Sequence, residues 1–196
     1  MNNYKRSLMK EYNKIKKKYY NYIIIFQIGE FYEIFNKDAI LCSKILNIIL
    51  TKRNIGKLHT KNIYLSGFPC KSLYKYINIL LKNNLKLVIC NQKKKKKKIY
   101  RKITHIITPG TIIDYKLLIN KNNNYICSIY FKKNNIGISL LDISTREFFV
   151  SENNIFFIKK IINNYNIKEI LYKKKQKKKI LQLFLNKNII LNKINN

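Results

Sequence analysis

Phe31 and Glu33 stand two residues apart in the run Gly29-Glu30-Phe31-Tyr32-Glu33-Ile34-Phe35, where an apolar stretch gives way to a glycine turn. In an extended segment, residues two apart project to the same side, so an aromatic ring and a carboxylate would stand together. A flat apolar ring can push into a base step from the minor groove and kink the duplex, at a cost of a few kcal/mol for unstacking. A mispaired step costs less to unstack, which is a source of selectivity. Ring-on-base stacking returns roughly 1–3 kcal/mol whichever base is met. A carboxylate beside phosphates is otherwise repelled, so Glu33 makes sense there as a base-edge contact or as a penalty against ordinary duplex. Spacing alone favours a plainer reading, with Phe31 and Phe35 in the core and Glu33 a surface charge.

Other chemistry is thin. Asp142 and Glu147, with Asp38 or Glu152 nearby, are the carboxylates that a metal-dependent nuclease would need clustered. Their spacing is not diagnostic, and an Asp at the end of a strand reads more simply as a turn cap. The nine acidic residues are scattered, and there is no H-E-x-x-H, G-x-S-x-G or glycine-rich dinucleotide fingerprint. Gly56-Lys57 is the only Gly-Lys pair, but Thr51 stands where a phosphate-binding loop needs its first glycine and Leu58 where it needs a Mg²⁺-binding hydroxyl. No catalytic residue and no ATP hydrolysis are expected of the chain. Cys42, Cys70, Cys90 and Cys127, with His59 and His105, show no zinc-ligand spacing and read as reduced thiols, so no metal is expected.

The chain has 196 residues and a formal net charge of +32. Such an excess attracts polyanions, nucleic acid first, although drift toward AT-rich codons would also enrich Lys, Asn, Ile and Tyr. A 46% hydrophobic fraction with few Gly and Pro argues for a folded chain rather than a disordered basic tail. The first apolar run, Tyr22 to Phe26, is too short for a secretory signal, and no stretch approaches the roughly 20 apolar residues of a membrane span. A cytoplasmic-type location without membrane contact is expected.

The elements that must position these residues follow from periodicity. Residues 4–20 predict a basic helix, and Tyr22–Ile28 a strand ended by Gly29. Asn36 or Asp38 would cap a helix with Ala39, Cys42, Ile45, Leu46 and Ile49 on its buried stripe. Thr51–Thr60 reads as a polar turn and Ile63–Leu65 as a short strand ended by Ser66-Gly67-Phe68-Pro69. Leu73, Tyr76, Ile77, Leu80 and Leu81 predict a helix ending near Asn83-Asn84. Strands at Leu85–Cys90 and Ile99–Thr108 make a hairpin, with Lys93–Lys98 as a solvated loop. Thr108-Pro109-Gly110-Thr111 is a turn near the first boundary. Strands at Tyr125–Phe131, Ile136–Ser144 and Arg146–Ser151 predict a meander. A helix carrying Phe156, Phe157, Ile161 and Ile162 follows, then a strand at Glu169–Tyr172, a helix at Ile180–Leu185 and a last apolar stretch at Ile189–Leu191.

Taken in order, Phe26 to Phe35, Leu50-Thr51-Lys52-Arg53, Ser66-Gly67-Phe68-Pro69, Val88-Ile89-Cys90-Asn91-Gln92, Ile107-Thr108-Pro109-Gly110-Thr111 and Leu141-Asp142-Ile143-Ser144-Thr145 resemble the N-terminal part of the bacterial MutS family. The resemblance implies an α/β mismatch-recognition domain at 1–112, a linker at 113–124 and a partial RNase H-like connector domain at 125–196. It implies that Phe31 stacks on a mispaired base and that Glu33 hydrogen-bonds it, with Gly29, Lys52 and Arg53 as further DNA-binding positions. Mismatched double-stranded DNA is the implied ligand, and the implied partners are a MutL-type protein and a separate MutS ATPase fragment. The ATP and Mg²⁺ used by full-length family members are expected to have no site here, and a truncated or split gene product is the expectation.

The sequence departs from the family at Asn91, which replaces a Glu, at Lys93–Lys98 and at Cys70-Lys71, which replaces an aromatic-His pair. Two other readings stay open: a non-specific basic binder of RNA or DNA, and an inactive gene remnant.

Overall fold

The computed structural model describes residues 2–55, 61–95, 98–113, 123–132, 135–184 and 189–194. Gly56, Lys57 and His59, hairpin residues 96–97, linker residues 114–122 and Leu185 lie outside the described residues. The chain divides into two compact units, Met1–Ile107 and Thr108–Asn196, each built of mixed sheet and helix as expected.

In the first unit α1 (Asn2–Lys18) leads into β1 (Ile23–Ile28) and β2 (Phe31–Phe35), then α2 (Asn36–Leu46), β3 (Leu50–Ile55), β4 (Lys61–Pro69), α3 (Leu73–Lys82), β5 (Leu87–Lys95) and β6 (Lys98–Ile107). The sheet order is β3-β4-β2-β1-β5-β6, with β1 and β5 parallel and the other neighbours antiparallel. Leu8, Met9 and Tyr12 of α1 cluster with Ile24, Phe26, Phe35, Leu65, Val88 and Cys90 on one sheet face. On the other face Tyr32 meets Phe68, which meets Tyr76 of α3, and Ser66 Oγ donates to Ala39 O of α2. Burying each large apolar side chain contributes about 1.5–3 kcal/mol, so these two layers carry most of what orders the sheet.

Five expectations are corrected. Neither Asn36 nor Asp38 caps α2: Phe35 holds the N-cap position without a side-chain hydrogen bond. The Asp38 carboxylate is instead taken by Lys16 Nζ at 2.7 Å and by Tyr12 Oη at 3.3 Å. The helix stops at Leu46 because Asn47 turns left-handed at φ 52°, which leaves Ile49 beyond it and 80% exposed. Thr51–Ile55 is not a turn but most of the edge strand β3; facing no further strand on its outer side, it needs no apolar alternation. Finally, β4 runs on through Ser66-Gly67-Phe68-Pro69 to pair with β2, and Lys93–Lys95 extend β5 rather than loop.

The second unit contains β7 (Tyr125–Lys132), β8 (Asn135–Asp142), β9 (Glu147–Asn153), α4 (Ile155–Asn164), β10 (Ile167–Lys173), α5 (Lys177–Leu183) and β11 (Ile190–Ile194). Its sheet order is β11-β10-β7-β8-β9: the predicted meander is present, and β10 runs parallel to both β7 and β11. Cys127, Ile129, Ile138, Leu140 and Ile170 pack with Ile158 and Ile162 of α4 and Ile180 of α5. The stripe predicted for α4 is rotated from the one observed. Ile158 and Ile162 are its core residues, whereas Phe156 is 76% exposed. Asn154 caps that helix by accepting from Phe157 N at 3.1 Å, which fixes where it begins.

Candidate nucleic-acid interface

β1 and β2 are joined by the two-residue turn Gly29-Glu30, since Ile28 and Phe31 face each other in register. Gly29 adopts φ +62°, the left-handed region that a residue lacking Cβ enters without strain. The turn is held from several sides. Gly29 N donates to Gln92 Oε1 at 3.1 Å, Gln92 N donates to Gln27 Oε1 at 3.0 Å, and Cys70 N donates to Glu30 O at 2.8 Å. Behind them Arg101 donates from Nε to Gln27 O at 3.2 Å and from Nη2 to Gln92 Oε1 at 3.3 Å. Its buried guanidinium also lies 3.8 Å from the Glu11 carboxylate and 5.9 Å from the centre of the Phe26 ring.

On this braced turn Phe31 is 50% exposed, while Phe35, four residues on, is 4% exposed and packed edge-on against Tyr12 and Phe26. Half-exposing a phenylalanine forgoes roughly 1 kcal/mol of burial. The core reading thus holds for Phe35 and fails for Phe31. Glu33 is half-buried on the same face, opposite Gly67. A Cβ at Gly67 would stand 2.9 Å from the Tyr32 carbonyl oxygen and 3.5 Å from Glu33 Cγ, so glycine there leaves the close approach to Glu33 open. Phe31 and Glu33 therefore project together from a fixed backbone. Tyr32, between them, points to the other face and donates to Asn91 Oδ1 at 2.8 Å. Burial, with Cys70 and Tyr74 nearby, raises its pKa and keeps it a donor.

Lys52 and Arg53 lie on edge strand β3, in register with Tyr64 and Ile63. Register puts Lys52 on the face opposite Phe31, its ammonium 5.3 Å from the Tyr64 ring centre, so these lysine and phenylalanine side chains are not brought together. The positive charge beside the turn comes from elsewhere. Beyond Gln92 and Arg101 the β5–β6 ladder continues through Lys93 opposite Tyr100, Lys94 opposite Ile99 and Lys95 opposite Lys98, with Lys93–Lys95 exposed. β1 has ended at Ile28, level with Gln92, so three residues at roughly 3.3 Å each carry the hairpin about 10 Å past the end of β1.

The carboxylates considered for a nuclease are engaged structurally. Asp142 Oδ1 accepts from Ser144 N at 2.8 Å, Ser144 Oγ at 2.6 Å and Thr145 N at 3.3 Å, and Oδ2 accepts from Asn124 N at 2.8 Å. Burial opposes its ionisation, but these hydrogen bonds outweigh it and hold the carboxyl below the usual aspartate range. Glu147 accepts from Tyr125 Oη at 2.8 Å and from Asn123 Nδ2. Among the described residues no group of three or more His, Cys, Asp and Glu is arranged to hold a metal ion. Burial pushes the thiols of Cys42, Cys90 and Cys127 up to about 12, and also raises Cys70, so all four are protonated near neutral pH.

Gln27, Gln92 and Arg101 were not singled out from sequence as parts of this site. One compositional signal pointed to Arg101: the chain has 37 lysines and only four arginines, so a buried arginine marks a place where a planar fork of donors is used.

A family model described as MutS domain I matches residues 6–116, and one described as MutS domain II matches residues 124–194. The DNA mismatch repair protein MutS of Christiangramia forsetii is 40% identical over 181 residues, covering 90% of this chain and 20% of the relative. That of Flavobacterium psychrophilum is 43% identical over 174 residues, covering 87% and 20%, and that of Cytophaga hutchinsonii 38% over 180, covering 90% and 21%. The chain spans about a fifth of the length of the curated relatives it matches.

Proposed function

Because the chain belongs to the MutS family, we propose that its first unit reads mismatched double-stranded DNA, with Phe31 as a wedge and Glu33 as the acceptor for the displaced base. The observation that carries this reading is the half-exposed Phe31 ring on a turn held by Gln92, Cys70 and, through Gln27 and Gln92, Arg101. A ring kept out of the core by a rigid turn needs no ordering when it enters a base step, so little of the stacking free energy is spent on the loop. Glu33 on the same face meets the base edge and repels the phosphates of a duplex that does not open.

In this reading Gly29 fixes the approach of the wedge, and the β5–β6 hairpin, with Lys52 and Arg53 at the far edge, supplies contacts to backbone phosphates that carry no sequence information. Steps that use ATP and Mg²⁺ are assigned to MutS polypeptide outside these two units, and the onward partner to a MutL-type protein acting at the bacterial nucleoid. Binding by the two units is itself non-enzymatic and independent of ATP and Mg²⁺.

The test is a binding titration of matched and singly mispaired duplexes with the chain and with Phe31→Ala. The variant is expected to lose its preference for the mispaired duplex while keeping salt-dependent binding to both. Unchanged preference would remove Phe31 from the site. Equal binding of matched, mispaired and single-stranded ligands by the unaltered chain would instead favour a basic binder acting through its lysines alone.

A further inference from the structure

In the second unit β7, β10 and β11 run parallel, so their carboxyl ends lie together. The chain leaves β7 toward β8 on one side and β10 toward β11 on the other, which makes the crevice between β7 and β10 a topological switch point. Crevices of this kind outside the carboxyl ends of parallel strands are favoured ligand positions, because neighbouring connections diverge and leave a gap. Here the gap is a pocket of about 640 Å³ lined by Tyr130, Lys173, Lys174, Lys175, Lys193 and Ile194, with Gln176 completing the wall. Its volume is in the range of small-ligand sites.

The chemistry of the lining is one-sided. Lys173 is in register with Ile194, and Tyr172 with Lys193. Leu171 pairs with Ser128, so Lys173 falls beside Tyr130 two residues further along. Register therefore puts Lys173, Tyr130 and Ile194 on one face of the sheet and Lys193 on the other, and the concavity lies across the strand ends, bordered by Lys173, Lys174, Lys175 and Lys193 and, among the described residues, by no carboxylate. A concave wall concentrates the field of like charges, and a bound anion relieves their repulsion. Gln176 steadies the turn between β10 and α5, its Nε2 donating to Phe131 O at 3.5 Å. Tyr130 is 55% exposed and offers a ring face at the edge of the lysine cluster. Ammonium groups suit phosphate as point charges, and an exposed ring suits a base without regard to its identity.

We propose that this pocket is a phosphate site, with Lys173 and the other lysines of its rim binding phosphate oxygens and Tyr130, on the same face as Lys173, stacking on the attached base. The ligand is a nucleotide phosphate, presented either on a free phosphoanion or along a nucleic-acid strand. The proposal does not depend on Phe31, which lies in the other unit.

The experiment uses the whole chain at about 0.15 M salt, where exposed charges more than ~8 Å apart are largely screened. Inorganic pyrophosphate is titrated calorimetrically and a labelled oligothymidylate by fluorescence anisotropy. Lys173→Gln/Lys193→Gln is expected to weaken both about tenfold, and Tyr130→Ala to weaken the oligonucleotide about tenfold while leaving pyrophosphate unchanged. Lys159→Gln/Lys160→Gln, which removes the same charge from exposed positions on α4, is expected to leave both within about twofold, since screened distant charges contribute little. Displacement of the oligonucleotide by pyrophosphate identifies a strand as the source of the phosphate. Pyrophosphate binding that depends on the pocket, with oligonucleotide binding that does not, identifies a free phosphoanion. Equal losses in the pocket and α4 variants, or pyrophosphate binding unaffected by the pocket variant, overturn the proposal. Phe31→Ala, carried in parallel, is expected to change mismatch preference and leave pyrophosphate binding alone, which keeps the two readings separable.

Discussion

Gly29 turns the chain at φ +62° with open space where a Cβ would be, so the penalty for replacing it is backbone strain alone. Gly29→Ala is expected to lower unfolding stability by about 1 kcal/mol, and Gly29→Asn by less, because Asn tolerates the left-handed region; urea titration of both variants checks the order. At Asp142 the sign comes from its depressed pKa. Between the folded value and the ordinary value near 3.8 the unfolded chain binds more protons than the folded one, so stability rises with pH across that window. The contribution is complete above the ordinary value and is lost as pH falls through the folded one. Melting temperatures measured from pH 6 downward are expected to fall less steeply in Asp142→Asn than in the unaltered chain, and parallel curves would remove Asp142 from the account. The Gly29–Phe35 run was legible because its glycine, ring and carboxylate are adjacent in sequence. Its braces were not, since Gln92 and Arg101 reach it from 63 and 74 residues away and no local pattern encodes such contacts.

At the scale of elements, the β5–β6 hairpin carries Lys93, Lys94 and Lys95 past the end of β1, beside the Gly29-Glu30 turn. Exchange of all three for Gln is expected to weaken binding of matched and mispaired duplexes alike, leaving preference intact. Each phosphate contact removed should reduce the slope of log affinity against log salt by about 0.9, and an unchanged slope would take the hairpin off the DNA. Helix α3 could be read from sequence because one of its faces is buried along its length, so Ile77, Leu80 and Leu81 repeat at helical steps. Strand β3 could not, since an edge strand pairs on one side only and Leu50–Lys52 at its start are exposed, leaving no alternation to read. The extension of β5 through its lysines was hidden for a related reason. Their backbone groups pair across the hairpin while their side chains stay in water, and composition reports only the second fact.

Across the whole molecule, +32 charges on 196 residues are held together against their own repulsion. Among the described residues a few ion pairs, such as Lys16 with Asp38 and Arg101 with Glu11, use acidic partners, and nine acids cannot neutralise 41 bases. Raising salt from about 0.02 to 0.2 M, which shortens the screening length from roughly 20 to 7 Å, is therefore expected to raise the melting temperature; a fall or no change would mean that local pairs outweigh the global field. The units divide at Ile107/Thr108, against an expected end of the first domain at residue 112, and the parallel placement of β10 beside β7 was not legible, because strand order depends on crossovers that spacing does not report. The brace on the Gly29 turn also has a kinetic side. If the tip reads DNA as proposed, its being formed before contact lets it arrive at every step of a duplex equally fast, and a mispaired step is then expected to be distinguished by how long the molecule dwells there rather than by how soon it is found.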